Sequence, residues 1–219
     1  MLFKRLFHLF IKPNLTILTL VFVTIIVVAN PTICQVSQNV LTGSHAPVGR
    51  NIYTCRISYE GKDPVSKDIR RDLMPEQLFT FTDGKLKSSL PERDFIVCSG
   101  SLTSISGGFR SLVLYLKLAS LNAKKTYGGL ARGSPLTINL VNGKEITLFN
   151  QRNDPGVLNP DSGETSYTGI YRIDVQAEKM LTKSEVDQMR IVWTSGFENY
   201  DLHNVDFFIN QFNCLNKTK

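Results

Sequence analysis

The stretch Leu136-Thr-Ile-Asn-Leu-Val-Asn-Gly-Lys-Glu-Ile-Thr-Leu-Phe149 decides the fold, because it holds two runs of alternating apolar and polar residues around an Asn-Gly pair. A two-residue turn at that pair would place the apolar side chains of the two strands on opposite faces. A three-residue loop, 141–143, instead pairs Ile138 with Ile146 on one apolar face. The sequence therefore predicts a β-hairpin in this register, with Gly143 in the left-handed conformation of a G1 bulge.

The same alternation extends to the rest of the chain after residue 51. Residues 111–118 carry a leucine at every second position, with Val113 and Tyr115 on the other face. This pattern predicts a central strand that is buried on both sides. Asp83-Gly84 lies between two strand-like runs and predicts a second hairpin. Further strands are predicted at Tyr53–Tyr59, Leu78–Thr82, Phe95–Cys98, Tyr167–Val175 and Met189–Thr194.

Two helices are predicted near the end of the chain. Thr182 and Glu185 form a capping-box pattern, which predicts a short helix near 183–189. Apolar residues then recur at helical spacing from Phe207 to Leu215, which predicts an amphipathic C-terminal helix. This helix either closes one side of the sheet by core packing, which we favour, or remains exposed as a docking helix with Phe208 on its surface.

Length and composition fit one globular domain with a short appendage. The 219 residues are 42% apolar and 20% charged, which excludes a disordered tail protein, a collagen-like chain and a polytopic membrane protein. We predict a mainly β (α+β) fold, an antiparallel β-sandwich or partly open barrel of about seven strands with a short helix and a C-terminal helix. The β-rich domain covers 51–219, and the Ser-, Gly- and Pro-containing residues 35–50 form a linker.

Residues 1–34 are typical of a secretory signal peptide. Three basic residues occur before an uninterrupted apolar-plus-threonine run at 15–29, and no acidic residue is present. At about 1.5 Å per residue this run is shorter than the roughly 30 Å hydrocarbon core of a bilayer. Ala29 and Cys34 are candidate cleavage positions. The alternatives are an uncleaved N-terminal membrane anchor through 15–29 or, less favoured, lipid attachment at Cys34.

The basic charge of the chain comes partly from this segment. Loss of residues 1–34 removes three of the 25 basic residues and none of the 19 acidic ones, so the net charge falls from +6 to +3. The remaining pairs, Arg70–Arg71 and Lys124–Lys125, are isolated from each other. A nucleic-acid surface needs clustered cations interleaved with aromatic residues, and no such stretch is present, so we expect no nucleic-acid partner.

Three cysteines remain if cleavage removes Cys34: Cys55, Cys98 and Cys214. An oxidising compartment permits one disulfide among them. If a disulfide forms, we expect it between Cys55 and Cys98, because the alternation of the first strand points Cys55 inward; buried free thiols are the favoured alternative. No Cys-x-x-Cys pattern occurs, which argues against zinc and thioredoxin-type chemistry.

Metal sites have weak support in the sequence. Of the histidines His8, His45 and His203, only the last belongs to the predicted domain, so no imidazole cluster or Ser-His-Asp triad assembles. The turn-rich stretch 151–166 predicts a long exposed loop. Its oxygen-bearing side chains would be calcium ligands only if the loop brought them together; they are Asp154, Asn159, Asp161 and Glu164.

Two other patterns in the sequence are candidate sites. Paired carboxylates for glycoside hydrolysis would have to meet in space, and the candidates by residue type are Glu60, Asp63, Glu145 and Asp201. Gly128–Ser134 superficially resembles a phosphate-binding loop. It lacks the lysine before the serine and the following helix, so we interpret it as an ordinary loop.

The order of several segments resembles small exported proteins of unknown function of the Bacteroidota cell envelope. The similarity covers roughly residues 51–215 and is carried by Lys62-Asp-Pro-Val-Ser-Lys67, Leu112–Leu118, the hairpin from Gly133 to Leu148, Met189-Arg-Ile-Val-Trp193, and Asp206-Phe-Phe-Ile-Asn-Gln211 with Cys214-Leu215. The resemblance implies a β-rich domain that is exported or attached to the envelope. It implies no catalytic residue.

We therefore expect a non-enzymatic, exported or envelope-associated binding or structural module without a cofactor. Its partner is expected to be an envelope protein, peptide, lipid or glycan. The alternative is a hydrolase or a carbohydrate-binding domain whose site forms only in space. These readings differ in whether the folded chain presents a pocket with convergent acidic or nucleophilic groups.

Overall fold

Two antiparallel β-sheets form the framework of the protein in its computed structural model, which describes residues 53–90 and 92–217. The predictions for the signal segment 1–34, with Ala29 and Cys34, and for the linker 35–50 lie outside these residues. The elements are β1 (Ile57–Lys62), β2 (Ile69–Leu73), β3 (Glu76–Phe81), β4 (Ile96–Ile105), β5 (Phe109–Leu118), α1 (Ala123–Tyr127), β6 (Pro135–Leu140), β7 (Glu145–Phe149), β8 (Val157–Asn159), β9 (Glu164–Ile173), α2 (Val175–Leu181), β10 (Val186–Trp193), β11 (Gly196–Asp201) and α3 (Phe207–Lys217).

The larger sheet curls into a half-barrel and the smaller sheet packs against it. The larger sheet has the strand order β1-β2-β4-β5-β9-β8, with β3 also paired to β4. The smaller sheet has the order β11-β10-β6-β7. This confirms the predicted mainly antiparallel β architecture with a short helix and a C-terminal helix. The described residues contain eleven strands rather than about seven, because short strands such as β2 and β8 carry no clear alternation.

The core lies between the two sheets. The leucines of β5 from Leu112 to Leu118 are fully buried, and they belong to one apolar cluster with Leu136 and Ile138 of β6 and Met189 of β10. The predicted central position of this strand is confirmed by its pairing with both β4 and β9. Its second face is not buried throughout, because Tyr115 and Lys117 are exposed to solvent.

The hairpin predicted at 136–149 is confirmed in its register. Ile138 lies opposite Ile146 and Leu136 opposite Leu148. Gly143 has φ +79°, the left-handed conformation that glycine adopts at little cost. The three-residue loop places both apolar sets on the core face, as the alternation requires.

Core packing is also confirmed for the C-terminal helix. Phe207, Phe208 and Phe212 of α3 are fully buried, and α3 lies against β4 and β2. The side chain of Gln211 is buried as well, and its oxygen accepts a hydrogen bond from the Leu102 amide at 3.0 Å. The apolar face of this helix therefore closes one side of the half-barrel and is not an exposed docking surface.

The helix predicted near 183–189 is wrong in position. The helix before β10 is α2, which begins after Asp174, and the carboxylate of Asp174 accepts the Ala177 amide at 2.7 Å as an N-cap. Thr182 is the C-cap of this helix, and its hydroxyl donates to the Glu178 carbonyl. The chain after Ser184 is already extended as β10.

The hairpin predicted at Asp83-Gly84 is also wrong. β3 pairs with β4, so that Phe81 lies opposite Ile96, and the residues after Gly84 form consecutive turns. The Asp83 carboxylate accepts the Lys85 amide at 2.8 Å, which favours a tight turn over an extended return strand.

The first strand and the long loop differ in detail from the prediction. β1 begins at Ile57 and ends at Lys62, before Pro64 as expected, but Tyr59 is 43% exposed. The stretch 151–166 is mostly exposed and contains the short strand β8, which pairs with β9.

The predicted Cys55–Cys98 disulfide is wrong, because the structure joins Cys55 to Cys214. The Cα atoms of these two residues are 5.3 Å apart. Cys98 is a free thiol on the core face of β4, opposite Leu116, and its burial raises the pKa of the thiol above the ordinary range. Cys55 is exposed ahead of β1, so the alternation that appeared to point it inward does not extend to it.

A polar network links the beginning and the end of the described chain. The Tyr53 hydroxyl and the Gln211 amide nitrogen both donate to the Glu76 carboxylate, and the Asn204 amide donates to its second oxygen at 3.2 Å. Burial, together with Glu76, raises the pKa of Tyr53. These bonds and the Cys55–Cys214 disulfide hold the first described residues against α3.

Candidate binding groove

An open groove of about 530 Å³ lies where α1, the end of β10 and two loops meet. We call it the Gly128–Ala131 groove. Most of its lining surface comes from apolar atoms of the backbone and side chains, and one lysine also lines it. The lining residues are Lys124, Gly128, Gly129, Leu130, Ala131, Asn153, Asp154, Pro155 and Thr194.

Two glycines allow the loops of the groove to approach each other. Gly128 has φ +74°, and a Cβ atom there would lie 1.9 Å from the Thr194 hydroxyl oxygen. A Cβ atom on Gly129 would lie 2.6 Å from the Asp154 carbonyl oxygen. The sequence Gly128-Gly129 therefore permits the isolated β-bridge between Leu130 and Asp154, which forms the floor of the groove.

The backbone polar groups of the floor have internal partners. Leu130 and Asp154 exchange two backbone hydrogen bonds of 2.8 Å. The Gly129 amide donates to the Thr194 hydroxyl at 3.0 Å, and the Gly129 carbonyl accepts the Thr194 amide at 2.9 Å. The Gly128 carbonyl accepts the Tyr167 hydroxyl at 3.2 Å. These backbone groups are therefore already engaged within the protein.

The carboxylate of Asp154 is also engaged by the fold. One oxygen accepts the Gly156 amide at 2.7 Å, and the other accepts the Thr168 amide at 2.8 Å. The bond from Thr168 holds the loop against β9, and the bond from Gly156 closes a turn within the loop. This side chain therefore supports the shape of the groove, and its oxygens are directed to backbone donors.

Asn150 fixes the same loops from behind. Its side chain is 1% exposed; the amide nitrogen donates to the carbonyls of Ala131 and Arg152, and the amide oxygen accepts the Ile170 amide. One buried side chain thus connects the loop before β6, the loop before β8 and strand β9. A buried amide with this many partners rigidifies its surroundings.

An aromatic layer lies beneath the groove. Trp193, which precedes the lining residue Thr194, has ring centroids 5.2 Å from Tyr127 and 5.1 Å from Tyr167. Burial, with Glu198 as a second cause, raises the pKa of Tyr127 to about 12. Trp193 is the single tryptophan of the chain, so its fluorescence reports on this region alone.

One basic residue lines the groove, and three more adjoin its lining residues in sequence. Lys124 lines it, Lys125 follows in α1, and Arg132 and Arg152 are adjacent in sequence to the lining residues Ala131 and Asn153. All four are exposed. Among residues 53–90 and 92–217, the ion pairs involve other cations, namely Arg70, Arg71, Arg93 and Arg110.

The structure does not bring the predicted carboxylates together as a catalytic pair. Glu60 forms an ion pair with Arg71, and Asp63 accepts the Val65 and Ser66 amides in the turn after β1. The Ser66 and Val65 amides lower the pKa of Asp63 below its ordinary value. Both carboxylates are thus committed to the edge of the larger sheet.

Glu145 and Asp201 lie in one row across the outer face of the smaller sheet. The register runs from Glu145 to Asn139, then to Gln188 and Asp201. Three strand spacings of about 4.8 Å separate the Cα atoms of these two residues by roughly 14 Å. Asn139 and Gln188 lie between them in the row, and the Asp201 carboxylate accepts the Gln188 side-chain amide at 2.9 Å, so the two carboxylates are not adjacent as a glycosidase pair requires.

The other end of this outer face is apolar. Val192 lies opposite Phe197, and Pro135 lies opposite Phe149. Phe197 and Phe149 are 62% and 54% exposed. Arg190, on the same face, has its guanidinium 4.9 Å from the Phe197 ring centroid. We call this surface the outer sheet face.

The residues of the predicted calcium site are engaged in separate contacts. Asp154 supports the groove, Asn159 accepts the Asp161 and Ser162 amides in a turn, and Glu164 lies 4.0 Å from Arg93. In the described part of the chain, no three His, Cys, Asp or Glu side chains come together as a set that could hold a metal ion. His8 and His45 lie outside the described residues, and the His203 amide donates to the Leu78 carbonyl.

Sequence reasoning missed the groove because its residues carry no chemical motif. The sequence predicts an ordinary loop at Gly128–Ser134, and the chain there is indeed irregular, yet this loop supplies much of the groove. The useful signal was the Gly128-Gly129 pair, since adjacent glycines mark a place where two backbones approach closely.

Comparisons of the chain with protein-family models, with curated proteins and with solved structures find no match. Within the residues that the structure describes, no helix is both long enough and apolar enough to cross a bilayer.

Proposed function

We propose that this protein is a non-enzymatic binding module whose ligand occupies the Gly128–Ala131 groove. The observation that carries the proposal is the combination of an apolar wall with a floor whose backbone groups are already hydrogen-bonded. Such a surface gains free energy by covering apolar area, and it supplies few directional contacts. A volume of about 530 Å³ lies within the range of roughly 300–1,000 Å³ of small-molecule sites.

The test uses the tryptophan beneath the groove. N-phenyl-1-naphthylamine, a neutral apolar dye, accepts energy from a nearby excited tryptophan. We expect saturable energy transfer from Trp193 with one dye molecule bound per protein. Ala131→Phe fills the groove and should abolish this transfer. Ala119→Phe is the matched control, because Ala119 is also half-buried but does not line the groove.

Two outcomes would contradict the proposal. The first is energy transfer that never saturates, which indicates nonspecific adsorption. The second is equal binding by Ala131→Phe and by the wild-type protein. Circular dichroism of each variant must show the wild-type spectrum, so that loss of dye binding reflects the filled groove.

We also propose that the module works outside the cytoplasm, in the periplasm or at the cell surface, either released or anchored by its N-terminal segment. The signal-like residues 1–34 support this location, and so does the Cys55–Cys214 disulfide, because such bonds persist in oxidising compartments. Cell fractionation with mass spectrometry of the N-terminus tests it. Fully reduced protein in the cytosol with Met1 retained would contradict it.

Glycan binding at the outer sheet face is the second candidate function. Phe197 and Phe149 offer exposed rings on which the apolar face of a sugar can stack, and Arg190, Gln188 and Asp201 provide polar groups on the same face. Retention on immobilised polysaccharides tests this. Phe197→Ala should lose the retention, and a variant that retains it contradicts this second candidate.

A further inference from the structure

We propose that the ligand of the Gly128–Ala131 groove is a free single-chain amphiphile with an anionic head group. This inference rests on the proposed function and adds the chemical class of the ligand. Its two halves have separate support: the apolar wall with its hydrogen-bonded floor selects the chain, and the cations at and next to the lining residues select the head group.

The aliphatic body follows from the hydrogen bonds of the floor. A peptide or sugar in the groove would lose water from its own amides or hydroxyls. The backbone N–H groups of Leu130, Gly129 and Gly128 already donate within the protein and cannot replace the donors of that water. A polar group buried without a partner costs free energy, so the floor favours a ligand segment that has no polar groups.

The anionic head group follows from the charges around the groove. Lys124 lines it, and three further exposed cations adjoin its lining residues in sequence. None of the four forms an ion pair within residues 53–90 and 92–217. The carboxylate that lines the groove, Asp154, is already held by two backbone amides. Four cations against one engaged carboxylate are complementary to an anion.

A free amphiphile is favoured over a bilayer surface by the form of the site. The groove is a cavity of about 530 Å³ between loops, which suits one chain. Lys124 stands at its wall, so that a head group can reach the ammonium while its chain covers Ala131 and Pro155.

The experiment compares three ligands with the same ten-carbon chain by displacement of N-phenyl-1-naphthylamine, with the two ionic ligands below their micellar concentrations and the neutral one below its solubility limit. They are decanoate, decanol and decyltrimethylammonium. We expect decanoate to bind at least about ten-fold more tightly than the other two, because a hydrogen bond to a charged group is worth about one factor of ten or more. Added salt should weaken decanoate binding only.

Variants assign this preference to the groove. Lys124→Ala should reduce decanoate affinity about ten-fold toward that of decanol and leave decanol unchanged, and Lys124→Arg should retain the preference. Lys117→Ala is the matched control, because Lys117 is an exposed lysine of β5 away from the groove, and it should behave as wild type.

The possible results separate this inference from the proposed function. Equal affinity for the three ligands overturns the anionic head group, while dye binding that Ala131→Phe abolishes would still support a groove module. Failure of the dye itself to bind contradicts the proposed function. Sedimentation with anionic phospholipid vesicles that depends on Lys124 overturns the free amphiphile in favour of a membrane surface.

Discussion

Reduction of the Cys55–Cys214 disulfide should strongly destabilise the domain. The bridge joins residues that are 159 positions apart. In the chain-entropy treatment, closing a loop of this length removes about 17 cal/mol/K from the unfolded ensemble, which is about 5 kcal/mol at 25 °C. For a chain of this size, we expect the melting temperature to fall by about 10–20 °C.

The assay is urea denaturation with and without a reductant, followed by circular dichroism. The double variant Cys55→Ser/Cys214→Ser should show the low stability of the reduced protein, and the reductant should not change it further. A non-reducing peptide map should contain one linked peptide pair that includes Cys55 and Cys214.

Two results would refute this reasoning. One is a peptide map that links Cys55 to Cys98, which would require the buried face of β4 to open. The other is a change of less than about 1 kcal/mol on reduction, because the network of Tyr53, Glu76 and Gln211 would then suffice to hold the N-terminal residues against α3.

Four further perturbations follow from the structure. Gly143→Val should cost about 1–2 kcal/mol from backbone strain alone, since a Cβ atom there meets nothing within 4 Å; an unchanged melting temperature would contradict the hairpin register. Gly129→Ala should cost about 1–3 kcal/mol and weaken dye binding, because its Cβ atom would meet a backbone carbonyl oxygen at 2.6 Å; calorimetry with dye titration measures both. Phe208→Ala should lower the free energy of unfolding by about 3–5 kcal/mol, because Phe208 is fully buried. Phe109→Ala should lower it much less, because Phe109 is 51% exposed. Equal losses of unfolding free energy for the two variants in urea denaturation would contradict the core role of α3. Burial and a neighbouring carboxylate raise the pKa of Tyr127 from 10.0 to about 12, so between these pH values the folded state keeps a proton that the unfolded chain releases. The free energy of unfolding should therefore be fully present below pH 10 and fall toward pH 12. A urea midpoint that does not change over this pH range would contradict this prediction.

The parts of the fold that the sequence predicted share one physical property. In the hairpin at 136–149, in β5 and in α3, one face is buried and the other is not, so the period of the apolar residues is visible along the chain. Burial of the wrong face would expose every apolar side chain in the element. Register and element type are therefore strongly constrained by local sequence.

The errors arose where contacts distant in sequence decide the structure. Thr182 and Glu185 fit a capping box, but Asp174 provides a better-placed cap, and pairing with β6 and β11 extends the chain after Ser184. Cys55 pairs with Cys214 because α3 brings Cys214 close to the beginning of the domain. The spacing of the cysteines along the sequence does not reveal this position of α3.

The candidate groove could be predicted only in part. The Gly128-Gly129 pair indicates a close backbone approach, and the four nearby cations are visible in the sequence. Their meeting with Asn153–Pro155 depends on the Leu130–Asp154 bridge and on the buried Asn150 side chain. The buried Asn150 amide joins segments that are about 20 residues away on either side. The hydrophobic periodicity of the sequence gives no sign of such a contact.

The Cys55–Cys214 bridge has a mechanical consequence for a protein held by its N-terminal end. A pulling force that enters the domain at residue 55 passes through the sulfur atoms into the C-terminal helix, whose phenylalanines lie deep in the interior. Without the bridge, the same load would peel the edge strand β1 from the sheet one hydrogen bond after another. In the proposed anchored form, this covalent connection would let the molecule bear tension while the Gly128–Ala131 groove keeps its shape.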